Sequence, residues 1–327
     1  MSQVTQGREF DHRPVMVREV VDLFGPVPPG LVLDATVGGG GHASAILAAH
    51  SHLSLVGLDA DPEAVVASRA ALAAVGDRAA VHQANFGQLR AVVGERALSG
   101  VLFDLGVSSA QLDRPERGFS YRVDAPLDMR MDPRRGASAA DLVNTMDIDE
   151  MVRLLAANGE GRFARRIARA IVASRPLATT GQLADVVRSA IPAATRRQGG
   201  HPAKRVFQAI RIAVNTELEV LGPALDSAIE LLAAGGRCAI LSYHSGEDRL
   251  VKGRLTRAAS GGCACPPGLP CVCGAQPWLR LLNRGARRPS SAEVEANPRA
   301  ASARLRAGER LGPEHRDPPN TGQQACP

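Results

Sequence analysis

Short continuous apolar runs, each closed by a polar or glycine-rich turn, recur through residues 31–104. Leu31, Val32 and Leu33 are the first, as a strand buried on both faces requires. Asp34 ends it, Gly38 to Gly41 form a turn, and a helical stretch runs from about Ala43 to Ala49. Leu53–Leu58, Ala79–Ala84 and Gly100–Phe103 predict three more strands, and Arg237–Leu241 a fifth. Strand, glycine turn and helix make the first unit of a doubly wound α/β fold, Rossmann-like in its parallel sheet.

The alternation stops at about Asp113 and resumes at about Arg205. Between them the pattern is helical. Phe163, Ile167 and Ile171 recur every four residues as an apolar stripe, with Arg162, Arg165, Arg166 and Arg169 on the other face. Such an arginine face serves either solvation or phosphate contact. Val206, Ile210 and Val214 share one face of a further helix, and Lys204, Gln208 and Arg211 another. The expected organisation is a discontinuous α/β domain, residues 1–112 and 206–312, with an inserted helical substrate-recognition domain at 113–205. Residues 313–327 read as a disordered tail, rich in proline and polar residues. Glu217 to Ala233 predicts a long helix broken at Gly222-Pro223, and Trp278–Leu282 and Ser302–Glu309 two late strands.

Composition narrows this. The 327 residues are 45% hydrophobic but only 3% aromatic, so the core is aliphatic. The net charge of +6 permits an anionic partner without demanding one. No apolar run reaches the length of a membrane span, and MSQVTQGREF carries no signal-peptide core, so a cytoplasmic protein with no membrane partner is expected. Four of six cysteines crowd into 263–273. Cys263, Cys265, Cys271 and Cys273 can close around zinc, although paired C-x-C is less typical of zinc than C-x₂-C; the alternative is an unligated or redox-labile loop.

The glycine turn is the first candidate site. Its end, Gly41-His42-Ala43, lacks the Gly-Lys-Ser/Thr of a Walker loop, which excludes that ATPase class. The turn fits a nucleoside cofactor, either S-adenosylmethionine or a dinucleotide. Asp59 ends the second strand, where a carboxylate grips a ribose diol, while Asp61 before Pro62 caps the next helix. Phe86 follows the third strand, where it contacts adenine or fills the core. Asp104 ends the fourth strand and faces the crevice in which open α/β sheets do their chemistry. His244, beyond the fifth strand, is a base or an orienting residue.

Longer stretches carry a resemblance. They include His12-Arg13-Pro14-Val15, Asp34 to His42, Asp104-Leu105-Gly106-Val107-Ser108-Ser109-Ala110-Gln111-Leu112-Asp113, Glu116 to Ser120 and Pro126 to Pro133. Arg162 to Ala168, His201-Pro202-Ala203, Ser242 to Arg249 and Asn297 to Ala300 follow. Together they resemble the bacterial 16S rRNA cytosine-N4 methyltransferase family, RsmH or MraW. Departures are Gly39 where a larger residue is common, Tyr243 for Phe and Gly246 for Leu. The resemblance implies S-adenosylmethionine as cofactor, with Gly40, Gly41, His42, Asp59, Phe86, Asp104 and Gln111 in contact with it. It implies N4-methylation of a cytidine in the decoding region of 16S rRNA. Asp104, by its place at the end of the fourth strand, is the catalytic candidate; Asp104-Leu105-Gly106-Val107 lacks the aromatic of many amino-methyltransferases, which leaves Phe119 or Tyr121 to stack on the base. The substrate is 16S rRNA or the small ribosomal subunit; the oligomeric state is left open. Two rival readings are a nicotinamide-dependent dehydrogenase, which would need the full glycine fingerprint, and a non-catalytic RNA-binding scaffold.

Overall fold

The apolar run at Leu31 becomes β1 (Gly30–Asp34), the middle of a parallel set. A computed structural model describes residues 14–193, 201, 203–266 and 272–312. The N-terminal arm, His12 and Arg13, Pro202, Cys271 and the tail 313–327 lie outside the described residues. Two compact units divide the chain, one formed by 1–106 with 221–327 and the other by 107–220.

In the first unit, α1 (Val17–Phe24) precedes β1, and α2 (Gly41–Ala49) follows the glycine turn. Next come β2 (Leu53–Asp59), α3 (Pro62–Ala71), β3 (Ala79–Gln83), α4 (Leu89–Val93) and β4 (Leu98–Asp104). β2 and β4 are aliphatic and almost wholly buried, and β1 is buried from Val32 on, as a sheet covered by helices on both faces demands, whereas the edge strand β3 buries only Val81. The sheet has seven strands in the order β3-β2-β1-β4-β5-β7-β6, with β5 (Leu232–Ser242), β6 (Leu279–Leu281) and β7 (Arg304–Arg310) completing it. The first five strands run parallel, and β7 runs antiparallel to both β5 and β6. The order reverses between β1 and β4, so the crevice for a ligand opens at the carboxyl ends of those two strands.

The second unit is helical among its described residues. It holds α5 (Ser109–Asp113), α6 (Ala139–Thr145), α7 (Ile148–Leu155), α8 (Ala164–Ala173), α9 (Thr180–Ala190) and α10 (Ala203–Val214). Ser138, Asp147 and Thr179 cap three of these helices through side-chain oxygens. Ile167 and Ile171 are fully buried in this unit's own core with Leu155, Leu183 and Val206.

The helix expected to break at Gly222-Pro223 does not: α11 runs unbroken from Glu217 to Leu231 with Pro223 inside. Gly222 has another use, since a Cβ there would lie 2.8 Å from the guanidinium of Arg254. Arg254 belongs to α12 (Ser245–Ser260), and α13 (Ser291–Ala296) is the last helix. Among the described residues no helix is long and apolar enough to cross a membrane.

Candidate active site

The turn after β1 is held by its own backbone. Gly38 and Gly40 have φ of 51° and 83°, a region that costs other residues roughly 1–3 kcal/mol. Gly40 caps α2, so the first N–H groups of that helix border the turn. A Cβ added at Gly39 would meet nothing within 4 Å, so the turn faces open space there. At Gly41 a Cβ would strike Pro14 Cγ at 2.5 Å; this glycine admits the segment before α1.

Asp59 reaches across the same turn from the end of β2. Its Oδ2 accepts the Gly38 N–H at 2.9 Å and its Oδ1 the Asp61 N–H at 2.9 Å. Asp61 in turn caps α3. Burial pushes the Asp59 pKa up to about 6, against the pull of those N–H groups. A carboxylate offers about four acceptor positions, so capacity for a diol remains beside the two N–H bonds.

Asp104 sits at the end of β4, 24% exposed. Its N–H donates to Thr36 Oγ1 at 2.6 Å, which ties it to the turn. The Tyr243 hydroxyl donates to Asp104 Oδ1 at 2.7 Å, and His42 Nδ1 lies 3.5 Å from Oδ2. His42 Nε2 is 2.9 Å from the Val15 carbonyl, which can only accept, so that nitrogen carries hydrogen. Burial first, then the neighbouring Asp104 charge, push the Tyr243 phenol well above its usual range and keep it a donor.

Asp34 ends β1 between these two, 1% exposed. Burial pushes its pKa up to about 8, opposed by the Thr36 N–H and reinforced by the charges of Asp104 and Asp59. Three carboxylates thus end three adjacent strands, β2, β1 and β4. With Asp34 mostly protonated at neutral pH, the charge at these strand ends comes from Asp59 and Asp104; a cation beside them relieves their repulsion, and a pyrophosphate adds to it.

A model of the MraW methylase family matches residues 9–311. The chain belongs to the MraW methylase family. Two curated relatives are both named ribosomal RNA small subunit methyltransferase H. That of Acidothermus cellulolyticus is 54% identical over 310 residues, covering 92% of this chain and 94% of its own. That of Heliobacterium modesticaldum is 50% identical over 311 residues, covering 92% and 99%. A crystal structure of an rRNA methylase from Streptococcus thermophilus covers 93% of this chain and 100% of its own at 12% identity, with a TM-score of 0.43. That likeness bears on neither site nor substrate.

This MraW methylase is an S-adenosylmethionine-dependent methyltransferase. The residues present fit that cofactor. The open face at Gly39 leaves room beside the turn, Asp59 keeps acceptor capacity, and the Asp59 and Asp104 charges suit a sulfonium better than a pyrophosphate.

Six of the seven expected cofactor residues belong to the sheet unit: Gly40, Gly41, His42, Asp59, Phe86 and Asp104. His42 and Asp104 are brought together, and Asp59 braces the turn. Phe86 is half-buried, edge-on to Phe103 with ring centroids 6.0 Å apart. Gln111 belongs to the helical unit, where its Oε1 accepts the Ser108 N–H at 3.0 Å and closes a capping box.

His244 is an orienting cap: its Nδ1 accepts the N–H groups of Gly246 and Glu247 at 3.2 and 3.3 Å. Its Nε2 lies 3.0 Å from Glu247 Oε1 but off the angle of a hydrogen bond.

Asp34, Thr36 and Tyr243 carry no functional assignment from the sequence alone. Their signal is strand order. Once β4 lies between β1 and β5, the residues just past all three strand ends must meet.

In the helical unit the long family stretch has a structural use. Arg117 donates to the carbonyls of Arg130 and Met131, Asp128 holds the Arg130 guanidinium, and Asn215 bonds Met129 and Met131 backbone. Phe119, at 7% exposure, packs in the unit's core, which removes it as a stacking surface. Tyr121 is half-buried and stacks on His201, centroids 4.4 Å apart. Arg162, Arg165, Arg166 and Arg169 are all exposed, whereas Arg211 is held by both carboxylate oxygens of Glu217 at 2.9 Å.

The sulfurs of Cys263, Cys265 and Cys273 lie within 4.8 Å of one another. Cys271, the fourth zinc candidate, lies outside the described residues.

Proposed function

We propose that this methylase is a cytoplasmic enzyme that methylates the exocyclic N4 of a cytidine in the decoding region of 16S rRNA. The observation that carries this reading is Asp104. It is a partly exposed carboxylate at the end of β4, tied to the turn by Thr36 and to β5 by Tyr243. The names of the curated relatives support ribosomal RNA of the small subunit as the substrate.

The N4 lone pair of cytosine is delocalised into the ring, so the nitrogen is a weak nucleophile. Its base must also leave the stack to be reached. Bound S-adenosylmethionine supplies an electrophilic methyl on a sulfonium. The turn from Gly38 to His42 and the Asp59 carboxylate hold that cofactor, Asp59 through the ribose diol. Phe86 borders the adenine, and the family resemblance adds Gln111 as a cofactor contact. Asp104 accepts a hydrogen bond from the N4 amino group, aligns the nitrogen and favours its rehybridisation as positive charge grows. Fixed positioning of this kind supplies much of the acceleration. Tyr243 keeps the carboxylate from rotating away, and Thr36 fixes the backbone that carries it. The helical unit recognises RNA, with its exposed arginines meeting phosphates.

Two measurements test this. Mass spectrometry of 16S rRNA fragments from a strain lacking the protein should show one decoding-region cytidine without its N4-methyl, restored by the gene. An unchanged modification in that strain refutes the assignment. Purified enzyme should methylate undermethylated 16S rRNA or small subunits, and S-adenosylhomocysteine but not NAD should raise its Tm.

A further inference from the structure

The cysteine segment carries none of the residues assigned to methylation above, and it is built at its base. It leaves α12 at Gly261, whose φ is 63° and whose missing side chain admits the backbone of Gln276. It returns where the Trp278 N–H donates to the Ala258 carbonyl at 3.1 Å. Both ends of the segment are therefore pinned to the end of one helix. Within it, Cys273 and Cys263 sulfurs are 3.5 Å apart, and the Cys265 N–H points at Cys263 Sγ at 3.4 Å.

We propose that Cys263, Cys265 and Cys273 bind one zinc ion as thiolates in the reduced protein. A metal with sulfur ligands at about 2.3 Å spaces them about 3.8 Å apart in a tetrahedron. The three sulfurs, all within 4.8 Å of one another, already approach that spacing. The Cys265 N–H stabilises negative charge on Cys263, as a metal-bound thiolate needs. Thiolates select a soft or borderline cation, which excludes magnesium and calcium. Three sulfurs fill three corners, and the fourth takes a further donor.

Cys263 is disulfide-bonded in this structure, while Cys265 and Cys273 are not in a disulfide. The metal-binding form is the reduced one. A phosphine reductant with one water converts the disulfide to two thiols and becomes the phosphine oxide. Zinc then displaces a proton from each ligating thiol. The bound ion cross-links Cys263 and Cys265 to Cys273, so it stabilises the segment between α12 and β6.

The test uses the full chain, reduced with phosphine, loaded with zinc and freed of excess metal by gel filtration. Elemental analysis should find one zinc per chain. Cobalt(II) in its place should give the visible bands of a tetrahedral thiolate site. Cys263→Ser, Cys265→Ser and Cys273→Ser should each lose stoichiometric metal, and Cys238→Ala, in β5, should keep it. Oxidation with diamide should release the zinc. Zinc far below one equivalent in the reduced wild type overturns the proposal. So does an octahedral cobalt spectrum, or retention of metal by the three serine variants. The metal content of the wild type decides even if a variant fails to fold.

Discussion

The Tyr243 hydroxyl donates to Oδ1 of Asp104 at 2.7 Å, joining the end of β5 to the end of β4. It leaves Asp104 Oδ2, on the His42 side, as the oxygen not engaged by the phenol. A net hydrogen bond of this kind is worth about 0.5–1.5 kcal/mol. Tyr243→Phe should therefore slow single-turnover methyl transfer roughly two- to tenfold and leave cofactor affinity unchanged. A wild-type rate would show that Asp104 needs no such tether.

Asp104→Asn preserves the shape and still offers an oxygen to Tyr243, but removes the charge. If the carboxylate acts on the substrate nitrogen, turnover should fall by about 10²-fold or more. Calorimetry with S-adenosylmethionine should show little change. Recovery of the full rate at saturating cofactor would make Asp104 a cofactor ligand instead.

Asp59→Ala should weaken cofactor binding by on the order of 1–3 kcal/mol through the lost diol acceptor. The same change frees the N–H groups of Gly38 and Asp61. Hydrogen exchange at Gly38 should therefore speed up even without cofactor. Unchanged affinity would remove the ribose assignment and leave Asp59 as a brace for the turn.

Asp34 carries a pH signature. Its folded pKa of about 8 is raised above the ordinary 3.8, so the folded protein holds this proton more tightly than the unfolded chain. The stability it contributes is complete below pH 3.8 and is lost as pH rises towards about 8. In Asp34→Asn that loss should vanish. The Tm of the variant relative to wild type should climb across this window and level off above it. A constant difference from pH 5 to 9 would show that burial does not set this titration.

Neutralising Arg165, Arg166 and Arg169 together should weaken RNA binding and flatten its salt dependence while sparing cofactor affinity. Arg165 lies 3.8 Å from Asp149, but both side chains are well exposed, 65% and 62%. Such a pair is worth at most about 1 kcal/mol and does not withhold the arginine from phosphate. A salt slope equal to wild type would mean that this face is only solvated.

The sequence by itself determined what short-range physics controls. Aliphatic runs ending in Asp34, Asp59 and Asp104 became β1, β2 and β4, because only a doubly covered sheet buries both faces of such runs. The glycine turn followed, because only glycine takes the φ of Gly38 and Gly40 cheaply. Asp61 before Pro62 announced a cap, and Ile167 and Ile171 a buried stripe. Tertiary structure decided what depends on distant partners. Pro223 looked like a break, yet α11 continues through it, because burial of Leu221, Leu225 and Ala228 outweighs one missing hydrogen bond. Phe119 looked available and is core. Gly41, besides its place in the glycine turn, makes room for Pro14. Above all, nothing local links Tyr243 to Asp104 or raises the pKa of Asp34. Those properties arise only when strands far apart in the chain lie side by side, with their carboxyl ends in one place. There burial removes the water that would otherwise screen their charges.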